Sequence, residues 1–371
     1  MSRLNVLYDD FGQSPWIDNI RRDWLDDGTL VGLVAKGTRG VTSNPAIFAK
    51  AFATSTAYDD RLATATSKDP ETVFEFLASA DVRDACDVLD DVHQRSRAEL
   101  TRGLRRYTDG FVSLEVSPRF ARDTEATVTA AKKLWEQVGR SNVMIKIPAT
   151  KEGLPAITRV LAEGINVNVT LIFSLERYDE VLGAWCAGLE SALEQGRDLS
   201  SIASVASFFV SRVDAAVDKL LPEGDALRGH VANAQVAAAY ALYQRWMLSD
   251  RVLALLARHA QVQRPLWAST SPKNLSYDPL LYVNNIVAAE TVNTMPDATL
   301  EATLEHGDFS WSLLATPATV ASSAAVLNEL PDSISLAQVT EQLERDGVDS
   351  FVASYEEVLA IVASKLSSTS V

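Results

Sequence analysis

Cysteine, histidine and basic charge are all in short supply in this 371-residue chain. Two cysteines, Cys86 and Cys186, leave no disulfide framework to read, so a reduced, cytoplasmic compartment is the natural expectation. The four histidines, His93, His230, His259 and His306, are scattered without ligand spacing, which argues against a His/Cys metal site. No apolar run reaches the ~18 residues of a membrane span. The opening Met1-Ser2-Arg3-Leu4-Asn5-Val6 has no apolar signal core, so export is not expected. Lys plus Arg number 34 against 49 Asp plus Glu, a net charge of −15, which disfavours a general nucleic-acid binder. Low-complexity linkers and fixed-period repeats are also missing.

What remains is ordinary globular composition, 47% hydrophobic and 22% charged. At ~150 residues per domain the length allows two or three domains, but one barrel of roughly 250 residues with extensions fits equally well. Leu175, Tyr178, Val181, Leu182, Trp185, Leu189 and Leu193 recur at helical spacing, with Ser174 placed to cap and Gly196 to stop the helix. Residues 233–258 are Ala-rich and read as one long helix. Phe351, Tyr355, Val358, Leu359, Val362 and Leu366 form a helical stripe near the end, before a frayed tail at residues 367–371. Short β-branched runs lie between helices at residues 111–116, 142–147, 166–172, 202–210, 265–269 and 291–295, with weaker ones at 15–18 and 39–43. Eight strand–helix alternations predict a (β/α)8 TIM barrel over about residues 15–296, a helical extension over 297–371, and a single domain. A doubly wound sheet is the alternative.

Parallel strands covered on both faces should be almost wholly apolar. Three of these runs are not, and their polar residues alternate. In Phe111-Val112-Ser113-Leu114-Glu115-Val116, Ser113 and Glu115 share a face. In Val143-Met144-Ile145-Lys146-Ile147, Lys146 lies opposite three apolar residues. In Asn166-Val167-Asn168-Val169-Thr170-Leu171, two Asn and a Thr face away from two Val and a Leu. The apolar faces must meet the helix layer, so Glu115, Lys146, Asn168 and Thr170 point into the barrel. A buried ion pair that fixes register is one explanation; the other is chemistry, because the carboxyl ends of barrel strands carry the active sites. A desolvated amine gives up its proton more readily, attacks a ketone and forms a Schiff base whose iminium accepts electrons from the adjacent carbon–carbon bond. Dehydrating the intermediate needs a proton shuttle, which Glu115 supplies with a water held by Asn168 and Thr170.

The chain resembles the transaldolase family, in the longer form with a C-terminal helical extension. The resemblance rests on Gly40-Val41-Thr42-Ser43-Asn44-Pro45, on Val112-Ser113-Leu114-Glu115-Val116, and on the Lys146 strand continued through Pro148-Ala149-Thr150 to Gly153. It extends through Gly164-Ile165-Asn166-Val167-Asn168-Val169-Thr170-Leu171-Ile172-Phe173-Ser174 and Val205-Ala206-Ser207-Phe208-Phe209-Val210-Ser211-Arg212-Val213-Asp214. Leu266-Trp267-Ala268-Ser269-Thr270 with Lys273-Asn274, and Thr291-Val292-Asn293-Thr294-Met295-Pro296, complete it. It implies a cofactor-free barrel enzyme of the pentose phosphate pathway. Such an enzyme moves a dihydroxyacetone unit from sedoheptulose 7-phosphate to glyceraldehyde 3-phosphate, giving erythrose 4-phosphate and fructose 6-phosphate. By the same resemblance Lys146 is the Schiff-base lysine, Glu115 and Thr170 hold the catalytic water, and Asp18 is the acid–base at the cleaved bond. Asn168 then contacts the dihydroxyacetone part, Asn44 is a substrate ligand, and Ser207 with Arg212 belongs to the phosphate site. Lys273 stands where shorter members commonly have a phosphate-facing arginine, after a Ser271-Pro272 segment that departs from the more usual Gly-Thr.

Each residue also has a plainer reading. Asp18 would cap a helix beginning near Arg21, Asn44 would be an extended residue before Pro45, and Arg212 would pair with Asp214 at the surface. Lys273 would be a loop lysine, Ser207 a small packing residue, and Trp16, Trp185 and Trp267 core. A shorter-chain fructose 6-phosphate aldolase is disfavoured by length and by Glu115, where those members usually have Tyr. A non-catalytic sugar-phosphate binder is disfavoured by the intact Lys146, Glu115, Asn168 and Thr170 set, and a metal-dependent hydrolase by the lack of His at strand ends. A monomer and a homodimer both fit. The charge is uneven: residues 297–371 hold twelve acidic and two basic side chains, so the extension carries −10 of the −15. The acidity therefore leaves room for a locally basic pocket that takes a phosphorylated sugar.

Overall fold

The computed structural model describes residues 2–368. Eight parallel strands close into a barrel in chain order: β1 (Gln13–Ile17), β2 (Gly40–Val41), β3 (Phe111–Glu115), β4 (Val143–Pro148), β5 (Val167–Ile172), β6 (Ser204–Phe209), β7 (Gln263–Ala268) and β8 (Thr291–Met295). The ring closes where β1 pairs with β8, Gln13 opposite Thr291 through Ile17 opposite Met295. This is a (β/α)8 TIM barrel, and the doubly wound alternative falls.

Strand periodicity decides which residues face inward. Val143, Ile145 and Ile147 on β4 and Val167 and Val169 on β5 are fully buried and pack with the surrounding hydrophobic core. The alternate positions meet across the interior, where Asn168 Nδ2 donates to Ser113 Oγ (3.0 Å) and Ser207 Oγ donates to Asn168 Oδ1 (2.7 Å). Helix starts follow their caps. Ser174 Oγ accepts from Arg177 N–H at the head of Leu175–Glu194, and Asn44 Oδ1 accepts from Ile47 N–H at the head of Pro45–Thr54.

Two expectations are corrected. Residues 233–258 form two helices, Val231–Met247 and Asp250–Leu256, because Ser249 is extended (φ −72°, ψ 146°) and caps the second one. Asp18 is not a helix cap: the following helix is Arg22–Asp26, and Arg21 at its start makes no side-chain cap bond. Of the expected tail, residues 367 and 368 continue the last helix, Leu336–Ser368, and residues 369–371 lie outside the described residues. Trp16, Trp185 and Trp267 are fully buried, and both cysteines are buried thiols.

The helical extension reaches the mouth of the barrel. Leu336–Ser368 is 33 residues, ~50 Å at 1.5 Å per residue. It is fastened by Arg119 to Glu356 (2.6 Å), Arg177 to Glu344 (3.3 Å), Tyr355 OH to Glu71 (2.8 Å) and Lys365 to Asp59 (2.7 Å). Gly347 lets it come close: a Cβ there would lie 3.0 Å from Leu171 Cδ2, at the end of β5.

Candidate active site

A cavity of about 190 Å³ opens at the carboxyl ends of the strands. Seven of the nine residues singled out from the sequence line it: Asp18 after β1, Asn44 after β2, Lys146 on β4, Thr170 on β5, Ser207 on β6, Arg212 on the helix Ser211–Val217, and Lys273 in the loop after β7. The other two lie beside it. Glu115 and Asn168 flank Lys146 in register on the neighbouring strands. Asn168 is wholly buried, with its amide held between Ser113 and Ser207.

Lys146 is the centre. Its Nζ is 3.4 Å from Glu115 Oε2 and donates to the Ser43 carbonyl at 3.1 Å, and the side chain is 6% exposed. Burial pushes the Glu115 carboxyl up from 4.5 to about 7 and outweighs the Lys146 charge, which pulls the other way. Glu115 Oε2 and Thr170 Oγ1 are buried without a hydrogen-bond partner among the described residues. The Leu171 backbone just after Thr170 is left-handed (φ +60°), and the β5–β6 register breaks between Val169 and Ile172. A leucine rarely adopts that conformation, and such strain gathers where a strand end must aim a side chain.

Asp18 faces Lys146 from the other wall. Burial raises its pKa, against the pull of Lys146 and of the hydrogen bond that Thr42 Oγ1 donates to it at 2.6 Å. Thr42 Oγ1 also lies 2.6 Å from Thr294 Oγ1, which ties β1, β2 and β8 together at this point. Asn44 is both lining and cap, so the plainer reading holds alongside the pocket position.

The far end of the cavity is cationic. Asp214, proposed as a surface partner for Arg212, is buried and accepts from Tyr282 OH and Ala232 N–H instead. Arg212 stacks over Phe209 (5.5 Å to the ring centroid), and burial lowers its pKa. Lys273 is exposed as a residue and lines the cavity. There desolvation and the Arg212 charge pull its pKa below the lysine value.

The sequence did not single out the roof. Ser350, Phe351 and Ser354 of the last helix line the cavity, and the Phe351 ring centroid lies 5.4 Å from Lys146 Nζ. Phe351 was legible as one of an apolar stripe, but a stripe does not say what it covers. Thr42 was legible within the Gly40–Pro45 segment, without a role. Among the described residues no group of three His, Cys, Asp or Glu side chains is placed to hold a metal ion, and no helix is long and apolar enough to cross a membrane.

The sequence that builds this site is similar to those of known proteins. A family model described as transaldolase/fructose-6-phosphate aldolase matches residues 15–362. A transaldolase of Saccharopolyspora erythraea is 47% identical over 373 residues, covering 98% of both chains. One of Thermobifida fusca is 50% identical over 366 residues and 96% of both chains, and one of Mycobacterium leprae 46% identical over 367 residues, 96% of this chain and 95% of its own.

Proposed function

The chain belongs to the transaldolase/fructose-6-phosphate aldolase family and acts as a transaldolase through a lysine Schiff base; we propose that Lys146 is that lysine and that Glu115, Thr170 and Asp18 move its protons. The donor and acceptor are sugar phosphates, sedoheptulose 7-phosphate and glyceraldehyde 3-phosphate, as in the family's general role in the pentose phosphate pathway. The Lys146 amine adds to the donor ketone. The resulting carbinolamine loses its hydroxyl as water, with the proton delivered from Glu115 through a water bound at the unpartnered Thr170 hydroxyl. The iminium draws electrons from the adjacent carbon–carbon bond. Asp18 takes the proton of the donor's hydroxyl as that bond breaks, and the first aldehyde leaves. The enamine that stays on Lys146 adds to the incoming aldehyde, and Asp18 returns the proton to the new hydroxyl. Hydrolysis of the new imine frees Lys146.

In this reading Asn44 and Asn168 hold the dihydroxyacetone hydroxyls, Asn168 by exchanging a bond it makes to Ser113 or Ser207, and Ser207, Arg212 and Lys273 hold the phosphate. The planar fork of Arg212 suits two phosphate oxygens at once. The barrel and its helical extension work as one domain in this reading, since Phe351 completes the cavity. Two buried free thiols fit a reduced, cytoplasmic setting.

The observation that carries the reading is a buried lysine 3.4 Å from a carboxylate whose pKa is near 7, under a cavity with a cationic far wall. Borohydride reduction in the presence of fructose 6-phosphate, followed by peptide mapping, tests it. The expected product carries the reduced dihydroxyacetone adduct on Lys146. An adduct on another lysine, or none, overturns the assignment.

A further inference from the structure

Lys273 and Arg212 are two like charges lining one cavity, where the Arg212 charge disfavours the charged Lys273, while Asp18 acts on Lys273 and Asp346 on Arg212 in the opposite sense. Something must hold them there. The segment that carries Lys273 has little burial of its own: Lys273, Asn274, Leu275 and Ser276 are all exposed, and Leu275 is 99% exposed. Its internal bonds, Ser276 N–H and Oγ to Asn274 Oδ1, make a turn but anchor nothing to the barrel.

The anchors lie at its two ends, and both reach the element that carries Arg212. At the start, Ser211 N–H donates to the Ser269 carbonyl (3.1 Å) and the two hydroxyls are 3.0 Å apart. At the far end, Tyr277 OH donates to Asp218 Oδ2 and Tyr282 OH donates to Asp214 Oδ2, each at 2.6 Å. Asp214 and Asp218 are buried one helical turn apart, on the helix Ser211–Val217 and its C-terminal cap. Their other oxygens are also taken, by Ala232 N–H (2.7 Å) and Gly229 N–H (3.0 Å). Both carboxylates are thus fixed by neutral donors on two sides. Gly229 fits this arrangement twice over: its φ is +77°, and a Cβ would sit 2.9 Å from the Tyr277 ring.

None of the four side chains lines the cavity. We propose that Tyr277 and Tyr282 are positioning residues. By latching the Lys273 loop to the Arg212 helix they set the span between the two cations, and hence the affinity for the substrate's phosphate group. The proposal rests on the reading of Arg212 and Lys273 as the phosphate site.

The test uses the full chain with Tyr277→Phe, Tyr282→Phe and the double variant. Each keeps its ring and loses only the hydroxyl, and thermal melts establish that the variants are folded. Steady-state kinetics are measured with fructose 6-phosphate and with unphosphorylated fructose as donor, and inorganic phosphate serves as inhibitor. KM for fructose 6-phosphate and the phosphate inhibition constant are expected to rise roughly three- to tenfold, the range for groups that act through others. The kcat, and KM for fructose, stay within about twofold. A purely structural role would lower the melting temperature, or depress kcat with both donors, and leave the ratio of the two KM values unmoved; that result overturns the proposal. Lys273→Ala and Arg212→Ala run in parallel. If they shift the KM ratio and the tyrosine variants do not, the latch fails and the phosphate reading survives. If they do not shift it, the phosphate reading fails and the latch with it.

Discussion

Glu115 lies 3.4 Å from a lysine, and an exposed carboxylate so placed would become a stronger acid. Here burial wins and its pKa rises to about 7, which gives a group able to give and take a proton near neutral pH. Glu115→Gln should therefore cut turnover by about 10²- to 10⁴-fold while phosphosugar binding is largely kept, and flatten the limb of the kcat–pH profile near 7. Unchanged turnover in stopped assays removes Glu115 from the scheme. Stability has a definite sign as well. Between pH 4.5 and about 7 the folded protein holds a proton that the unfolded chain releases. The contribution is full below the unfolded pKa and is lost as pH climbs through the folded one. Urea midpoints of the parent should thus fall between pH 5 and 8 by more than those of Glu115→Gln. At the other end of the cavity, Arg212→Ala should raise KM for phosphorylated substrates by roughly 10- to 100-fold, the worth of a charge-assisted hydrogen bond. Equal effects on unphosphorylated analogues would place Arg212 outside the phosphate site.

The strands were legible as elements because their chemistry has period two. A lysine opposite Val143, Ile145 and Ile147 has only one side left to face, and register then puts it between Glu115 and Asn168. The last helix was legible only as a helix. Phe351, Tyr355, Val358 and Val362 announce a buried stripe, but burial against the barrel wall and burial across its mouth look alike in one dimension. What decides is tertiary: the Arg119, Arg177 and Glu71 contacts, and the missing side chain at Gly347 that lets the helix settle on Leu171. The break at Ser249 was obscured for a related reason, because helical spacing can run through a cap when a second helix follows at once. With Lys146 as the proposed Schiff-base lysine, transfer needs its adduct to outlive the first aldehyde, and the Phe351 ring, its centroid 5.4 Å from Nζ, would limit the water that releases it. Phe351→Ala should raise free dihydroxyacetone formed from fructose 6-phosphate without an acceptor, relative to transfer with one. Phe351→Leu, which keeps most of the bulk, should raise it less. No change in that ratio for Phe351→Ala would remove the ring from water control.

The barrel as a whole uses buried charge in opposite ways at its two ends. At the mouth, Lys146, Arg212, Lys273 and Asp18 line the cavity with Glu115 beside Lys146, and both carboxyls are weakened as acids by burial. At the amino-terminal end the charges are paired directly. Asp109, wholly buried, meets Arg39 (3.1 Å) and Arg264 (3.3 Å), accepts from Trp16 Nε1 (2.9 Å) and from Ser14 Oγ, and so joins β1, β2, β3 and β7. Burial alone would raise its pKa, but the two arginines and these hydrogen bonds bring it below 3.8. In the sequence Arg264 stands just before the run at residues 265–269 and looks like a loop residue, so this network is not legible there. The acidic extension is a third case: Glu356 and Glu344 are paired to Arg119 and Arg177, while Asp346 of the same helix acts on Arg212. The two ends of the barrel respond oppositely to pH. Asp109 contributes stability that is present above the unfolded carboxylate pKa and lost as pH falls through the folded one, whereas Glu115 loses its contribution on the way up. Asp109→Asn leaves Arg264, 1% exposed, without its counter-charge, so it should destabilise the fold by about 3–5 kcal/mol, the cost of breaking a buried pair. It should also remove part of the acid limb of the stability profile, while KM for the phosphosugars stays at the parental value because the change lies at the end opposite the mouth. Urea unfolding at pH 7 and below pH 4, with kinetics on the folded variant, reads all three. A loss under 1 kcal/mol, or an acid limb identical to the parent's, would show that this ion cluster does not hold the base of the barrel together.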